Sequence, residues 1–225
     1  MITVHHLEDS RSQRVLWLLE ELGLEYDVVR YARDRKTMLA PPELKRIHPL
    51  GKSPVVVDAG EALAESGAIV ETLVERHGAG KALAPAPGSP QRTRYTYWMH
   101  YAEGSAMPPL VLSLVFRRVR NAPAPFFVRP LLRRIADQVM SSFVTPNLRT
   151  HFDWIESQLA AHEWFSGDAF GAADIQISFP MEAAASRAIT DPQRHPQIAA
   201  WLARIHARPA YARALEHGGP YRYLK

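Results

Sequence analysis

The first third of the chain changes hydrophobic rhythm several times. Ile2–Leu7 alternates loosely and reads as a strand. Glu8-Asp9-Ser10 follows as a polar turn with N-cap chemistry. Val15, Leu16, Leu18, Leu19 and Leu22 then recur at helical spacing, and Gly23 is placed to stop that helix. Glu25–Tyr31 reads as a second strand. Residues 32–46 are polar and basic and predict a loop with a short helix after Pro41-Pro42. Pro54–Asp58 and Glu61–Leu63 read as a hairpin around Ala59-Gly60, and Ser66–Arg76 as a helix stopped by His77-Gly78.

Residues 79–90 are rich in Pro and Gly and mark a linker between two domains, 1–78 and 91–225. Beyond them strand signals vanish. Gln91–Val119, Phe127–Ala161, Ala172–Arg187 and Ile198–Ala207 carry helical periodicity, and Pro108-Pro109 is expected to kink or break the first. The fold class is thus an α/β N-terminal domain joined to an all-α bundle.

Composition narrows the function. The chain has 225 residues and no cysteine, which removes disulfides, thiolate zinc sites and a protein thiol nucleophile. The His residues show no metal-ligand spacing, so no metal is expected. No apolar run is long enough to span a membrane, and the N-terminus lacks the pattern of a signal peptide, which points to the cytoplasm. Residues 1–80 carry ten Lys and Arg against thirteen Asp and Glu; the rest carry seventeen against ten. Much of the basic surplus lies between Arg117 and Arg134. It reads as solvated helix faces or as a wall that attracts anions. No nucleic-acid-binding motif accompanies it.

Two features flank the third strand. Ser53-Pro54 precedes it; a cis bond there would turn the chain sharply and leave Ser53 facing outward like an unpaired edge. On its own, an X-Pro pair reads more simply as a trans turn. After the hairpin, Glu65 and Ser66 stand where a helix begins, as a first-turn acid and an N-cap or as ligands for a charged group.

Four motifs in order resemble the cytosolic glutathione transferases over essentially the whole chain. They are Ser10-Arg11-Ser12-Gln13-Arg14-Val15-Leu16-Trp17, then His48-Pro49-Leu50-Gly51-Lys52-Ser53-Pro54-Val55, then Glu65-Ser66-Gly67-Ala68-Ile69, and Phe170-Gly171-Ala172-Ala173-Asp174-Ile175. The resemblance implies a thioredoxin-like N-terminal domain, a homodimer and glutathione as substrate. It implies that Pro54 is cis, that the Ser53 backbone pairs with the cysteinyl unit, that Glu65 and Ser66 hold the γ-glutamyl end, and that Lys52 meets the glycyl carboxylate. It places a Ser-type thiolate donor at Ser10, with Ser12 as runner-up and Arg11 as a helper. Asp9, ionised, cannot donate, and the first loop has no tyrosine. An apolar electrophile pocket is expected around Tyr101, Pro108 and Leu110, with Tyr97, Trp98, Met107, Leu114 and Phe116 as further candidates. The family usually has a hydroxyl residue where this chain has Gly171. The implied activity is conjugation of glutathione to apolar electrophiles or reduction of organic hydroperoxides. Glutathione-dependent isomerisation or dehalogenation is a weaker option, and a non-catalytic binding module is the alternative of a different class.

Overall fold

The computed structural model describes residues 1–224. The N-terminal part runs β1 (Ile2–Leu7), α1 (Ser12–Leu22), β2 (Tyr26–Tyr31), a 3-10 turn (Pro42–Arg46), β3 (Val55–Asp58), β4 (Glu61–Ala64) and α2 (Ser66–His77). Its sheet has the order β2-β1-β3-β4. β1 and β2 are parallel, while β3 runs antiparallel to both its neighbours. This is a thioredoxin-like arrangement of a mixed sheet with helices. The helical part follows as α3 (Pro90–Tyr101), α4 (Met107–Arg120), α5 (Arg129–Val139), α6 (Thr145–Ala161), α7 (Ala172–Ala185), α8 (Pro196–His206) and α9 (Pro209–Gly218). No described helix is long and apolar enough to cross a membrane.

α1 is the hinge of the packing. Val15, Leu16, Trp17, Leu18 and Leu19 are all fully buried, because one side of the helix faces the sheet and α2 while another faces α7 and α9. Trp17 packs edge-on against Tyr211 of α9 at 5.1 Å and beside Phe170 at 5.5 Å. Gly23 ends α1 in the left-handed conformation that a glycine adopts without a Cβ penalty. Sequence periodicity does not single out α9; Pro209 stands at its first helical position, with Ala210, Tyr211 and Ala214 buried behind it.

Pro108-Pro109 does not break the helix. A π-helical turn, Ala102–Ala106, joins α3 to α4, and a second, Met140–Val144, joins α5 to α6 just before Pro146. A proline lacks the N–H that would close an α-turn and crowds the carbonyl four residues back; a wider turn immediately before it relieves both problems.

Asp174, in the first turn of α7, is fully buried. It accepts hydrogen bonds from the N–H groups of Phe165 (2.8 Å) and Gly171 (3.1 Å) and from Trp201 Nε1 (3.1 Å). Burial pushes its carboxyl up to about 6, against the pull of those donors. Gly171 is explained by space. A Cβ there would press on the Ser166 hydroxyl and sit 2.9 Å from the Leu83 carbonyl oxygen, which already accepts the Ala172 N–H at 2.7 Å. Gly171→Ser is therefore expected to lower stability by about 1–3 kcal/mol through overpacking, although capping preference alone would favour serine. A thermal melt decides the sign, and a raised midpoint would contradict the packing argument.

Candidate active site

Two clefts meet beside the N-terminal end of α1. The first encloses about 250 Å³. It brings together Lys52, Ser53, Pro54, Glu65, Ser66 and Arg11, joined by His48, Leu50, Ala64 and Glu103. All five residues expected to hold the tripeptide thus share one depression.

The Ser53–Pro54 bond is cis. The Ser53 hydroxyl donates to the His5 carbonyl oxygen at 3.1 Å and accepts the Leu7 N–H at 3.3 Å, which ties the loop to β1. The Ser53 backbone N–H and C=O have no partner among the described residues. The loop thus presents a short unpaired edge, suited to an extended peptide.

Glu65 adopts φ 67° and ψ 117°, a conformation outside the ordinary basins of a side-chain-bearing residue. Its carbonyl oxygen accepts the Ile69 N–H at 2.9 Å, and its side chain is exposed without a partner among the described residues. Ser66 is the first residue of α2 and makes no capping bond. Its Oγ instead accepts from Arg14 at 3.2 Å, which leaves its O–H proton for a ligand.

Nothing local in the sequence marks Arg14 as a site residue. It is fully buried, and donates also to Glu103 and to the Gln176 carbonyl oxygen. Glu103, carried to the cleft by the π-helical turn, pairs with Arg11 at 2.9 Å as well. Burial would raise the Glu103 carboxyl, but the Arg14 and Arg11 guanidiniums outweigh it and hold it below its ordinary value. The sequence shows Arg11 and Arg14 three residues apart at the start of α1 and Glu103 as the one charge between Ala102 and Ala106, but no local pattern pairs them.

The second cleft, about 260 Å³, shares Arg11, Lys52 and Ser53 with the first and adds Ser10. Ser10 is nearly buried. Its Oγ accepts the Ser12 N–H at 3.2 Å and lies 2.8 Å from the Ser12 Oγ. Ser12 lines neither cleft. It is fully buried, with its hydroxyl 2.9 Å from His6 Nδ1 and donating to the Leu7 carbonyl oxygen at 3.2 Å. Burial lowers His6 to about 4, so the ring behind these serines is neutral at pH 7. Asp9 is held by Arg222 at 2.6 Å.

The far wall of the second cleft includes Met107, Val111, Leu114 and Phe179. The three residues expected to lead the electrophile pocket lie elsewhere. Tyr101 is buried in the bundle with its hydroxyl 2.6 Å from His151, Leu110 is fully buried in the core, and Pro108 is exposed outside the cleft. Of the further candidates, Met107 and Leu114 do line the cleft, joined by Val111 at i, i+4 and i+7, while Leu110 and Tyr101 turn inward. Arg117, Arg118 and Arg120 are solvent-exposed, and Arg120 pairs with Asp137.

Comparison with known proteins agrees with this geometry. The model of the glutathione S-transferase N-terminal domain matches residues 1–75, and that of the C-terminal domain matches residues 132–204. Glutathione S-transferase 3 of Schizosaccharomyces pombe is 37% identical over 217 residues, covering 96% of this chain and 87% of its own. Glutathione S-transferase 1 of Saccharomyces cerevisiae is 34% identical over 223 residues, covering 96% and 94%. A crystal structure of a glutathione S-transferase from Actinobacillus pleuropneumoniae superposes with a TM-score of 0.79 at 29% identity, covering 99% of this chain and 94% of that one. The chain belongs to the glutathione S-transferase family of enzymes.

Proposed function

We propose that the first cleft holds glutathione, that the Ser10 hydroxyl stabilises its thiolate, and that the second cleft presents an apolar electrophile to the sulfur. The observation that carries this reading is the junction of the clefts. The unpaired Ser53 edge, which would align the cysteinyl unit, lies beside Ser10 at the start of α1.

The γ-glutamyl carboxylate is received by the N-terminus of α2 and the Ser66 hydroxyl, with the Arg14 charge behind it. Glu65 takes the α-ammonium, and Lys52 the glycyl carboxylate. The thiol loses its proton to solvent. The Ser10 O–H turns from Ser12 to the sulfur while its oxygen goes on accepting the Ser12 N–H. Ser12 acts as a positioning residue. The dipole of α1 adds a favourable field, and Arg11, held by Glu103, adds positive charge. Lowering a thiol pKa by two units corresponds to about 2.7 kcal/mol, within reach of one charge-assisted hydrogen bond plus a helix terminus. The sulfur then attacks the electrophilic carbon. A C–S bond forms, the bond to the leaving group breaks, and that group departs with the electron pair. Attack on the terminal oxygen of a hydroperoxide uses the same thiolate: an S–O bond forms, the O–O bond breaks, the alkoxide leaves to be protonated as an alcohol, and a second glutathione converts the sulfenic acid to glutathione disulfide and water.

Division of labour between residues 1–78 and 91–225, action as a homodimer and residence in the reducing cytoplasm belong to the same reading. The dimer is expected to sediment at about twice the 25.3 kDa chain mass, and sedimentation at a single chain mass would contradict it.

Retention on glutathione resin followed by conjugation of chlorodinitrobenzene tests the reading. Retention without turnover of this electrophile or of cumene hydroperoxide favours a binding module instead. Ser66→Ala is expected to weaken glutathione binding about tenfold, by loss of one hydrogen bond to a charged group. Calorimetric titration measures it, and a change under twofold argues against the carboxylate subsite.

A further inference from the structure

We propose that the second cleft selects apolar electrophiles that carry an anionic group, a carboxylate or sulfonate, and that Arg187 receives it. The proposal rests on the reading of that cleft as the electrophile site. Its apolar wall is bordered by four cations, Arg11, Arg33, Lys52 and Arg187, against a single carboxylate, Asp9.

Most of these charges are already engaged. Asp9 is bonded to Arg222, and Arg11 to Glu103. Arg33 donates to the carbonyl oxygens of Glu8, Met38 and Asp9. Lys52 faces both clefts and is assigned to glutathione. Arg187 makes no side-chain hydrogen bond or ion pair among the described residues, and it is half-buried just past the end of α7. Its guanidinium carbon lies 5.7 Å from the centre of the Tyr223 ring, and Tyr223 in turn packs edge-on to Phe179 at 5.4 Å.

The aromatic ladder from Phe179 through Tyr223 ends on the guanidinium. A planar apolar body can lie against Met107, Val111 and Leu114, with the little of Phe179 that is exposed beside it, while its acidic substituent reaches the fork of Arg187, a geometry that suits bidentate capture of a carboxylate. The excess positive charge in the cleft also attracts such molecules before they dock.

The matched electrophiles 4-chloro-3-nitrobenzoate and 4-chloro-3-nitrobenzamide test this, each enzymatic rate being divided by its uncatalysed rate with glutathione. The ratio of kcat/KM, acid over amide, is expected to be about ten or more at low salt and to shrink as salt is added. Arg187→Gln should lower the ratio about tenfold, and Arg187→Lys should restore part of it. A wild-type ratio near one, or an equal ratio in Arg187→Gln, overturns the proposal. Calorimetric binding of the benzoate without glutathione reads the same contact without chemistry. Its Kd should rise about tenfold in Arg187→Gln, and an unchanged Kd overturns the proposal. Failure of both compounds to react while the benzoate still binds through Arg187 counts against the transfer reaction and leaves the anion subsite standing.

Discussion

Ser10→Ala is expected to lower kcat/KM for conjugation by about 10²–10³, the loss found when one preorganised donor to a developing anion is removed. Glutathione affinity should change by less than about threefold, because the Ser53 edge, Glu65 and Ser66 remain. The rate profile should shift toward alkaline pH, since the thiol now ionises with less help and the thiolate fraction rises later. The substitution also deprives the Ser12 N–H of its acceptor, a stability cost on the order of 1 kcal/mol; melting the variant separates that loss from the chemistry. Ser12→Ala serves as the comparison. It removes a hydroxyl that never reaches the cleft, so its effect should be smaller and should come without the full alkaline shift. A Ser10→Ala enzyme within fivefold of wild type, with the same pH profile, would assign the thiolate to another group.

Asp174→Ala carries the largest expected effect on stability. It strands the Phe165 and Gly171 N–H groups and Trp201 Nε1 in a site closed to water. The cost should be about 3–5 kcal/mol, a large part of the margin of an ordinary domain. Its pH dependence has a definite sign. The folded carboxyl sits at about 6, above its ordinary 3.8. Its contribution is therefore fully present below about pH 4 and is lost as pH rises through about 6. The gap between wild type and variant should be about 1 kcal/mol wider at pH 5 than at pH 7.5. Urea unfolding at the two pH values, followed through Trp201 and the other tryptophans, measures it. A gap that narrows at pH 5 would mean that the three donors hold the carboxylate ionised.

What the sequence disclosed follows from the range of the forces involved. The strands, α1 and α2 were legible because local periodicity and Gly23 specify them. Lys52, Ser53, Pro54, Glu65 and Ser66, which share the first cleft, stand out in the sequence because they fall in short continuous motifs. Two features do not. The Arg11–Glu103–Arg14 cluster depends on the π-helical turn of the second part reaching the N-terminal end of α1, and no local pattern encodes a partner some ninety residues away. The proposed electrophile wall was legible at Met107 and Leu114 but not at Val111, and the π-helical turn at Ala102–Ala106 inserts extra rotation before it. A single added residue of phase turns Tyr101 and Leu110 inward and brings Val111 to the cleft. Gly171 broke the family pattern for a reason visible only in three dimensions, the approach of the Leu83 carbonyl.

The measurement that bears most directly on the site is a pH titration of the thiol of bound glutathione, followed by thiolate ultraviolet absorbance, in wild type and in Ser10→Ala. In the wild type the midpoint should lie about two units below the ~8.5 of a free cysteine thiol, and in the variant it should return most of the way. Equal midpoints in the two proteins, or a wild-type midpoint no lower than that of free glutathione, would contradict the role given to Ser10 and the start of α1.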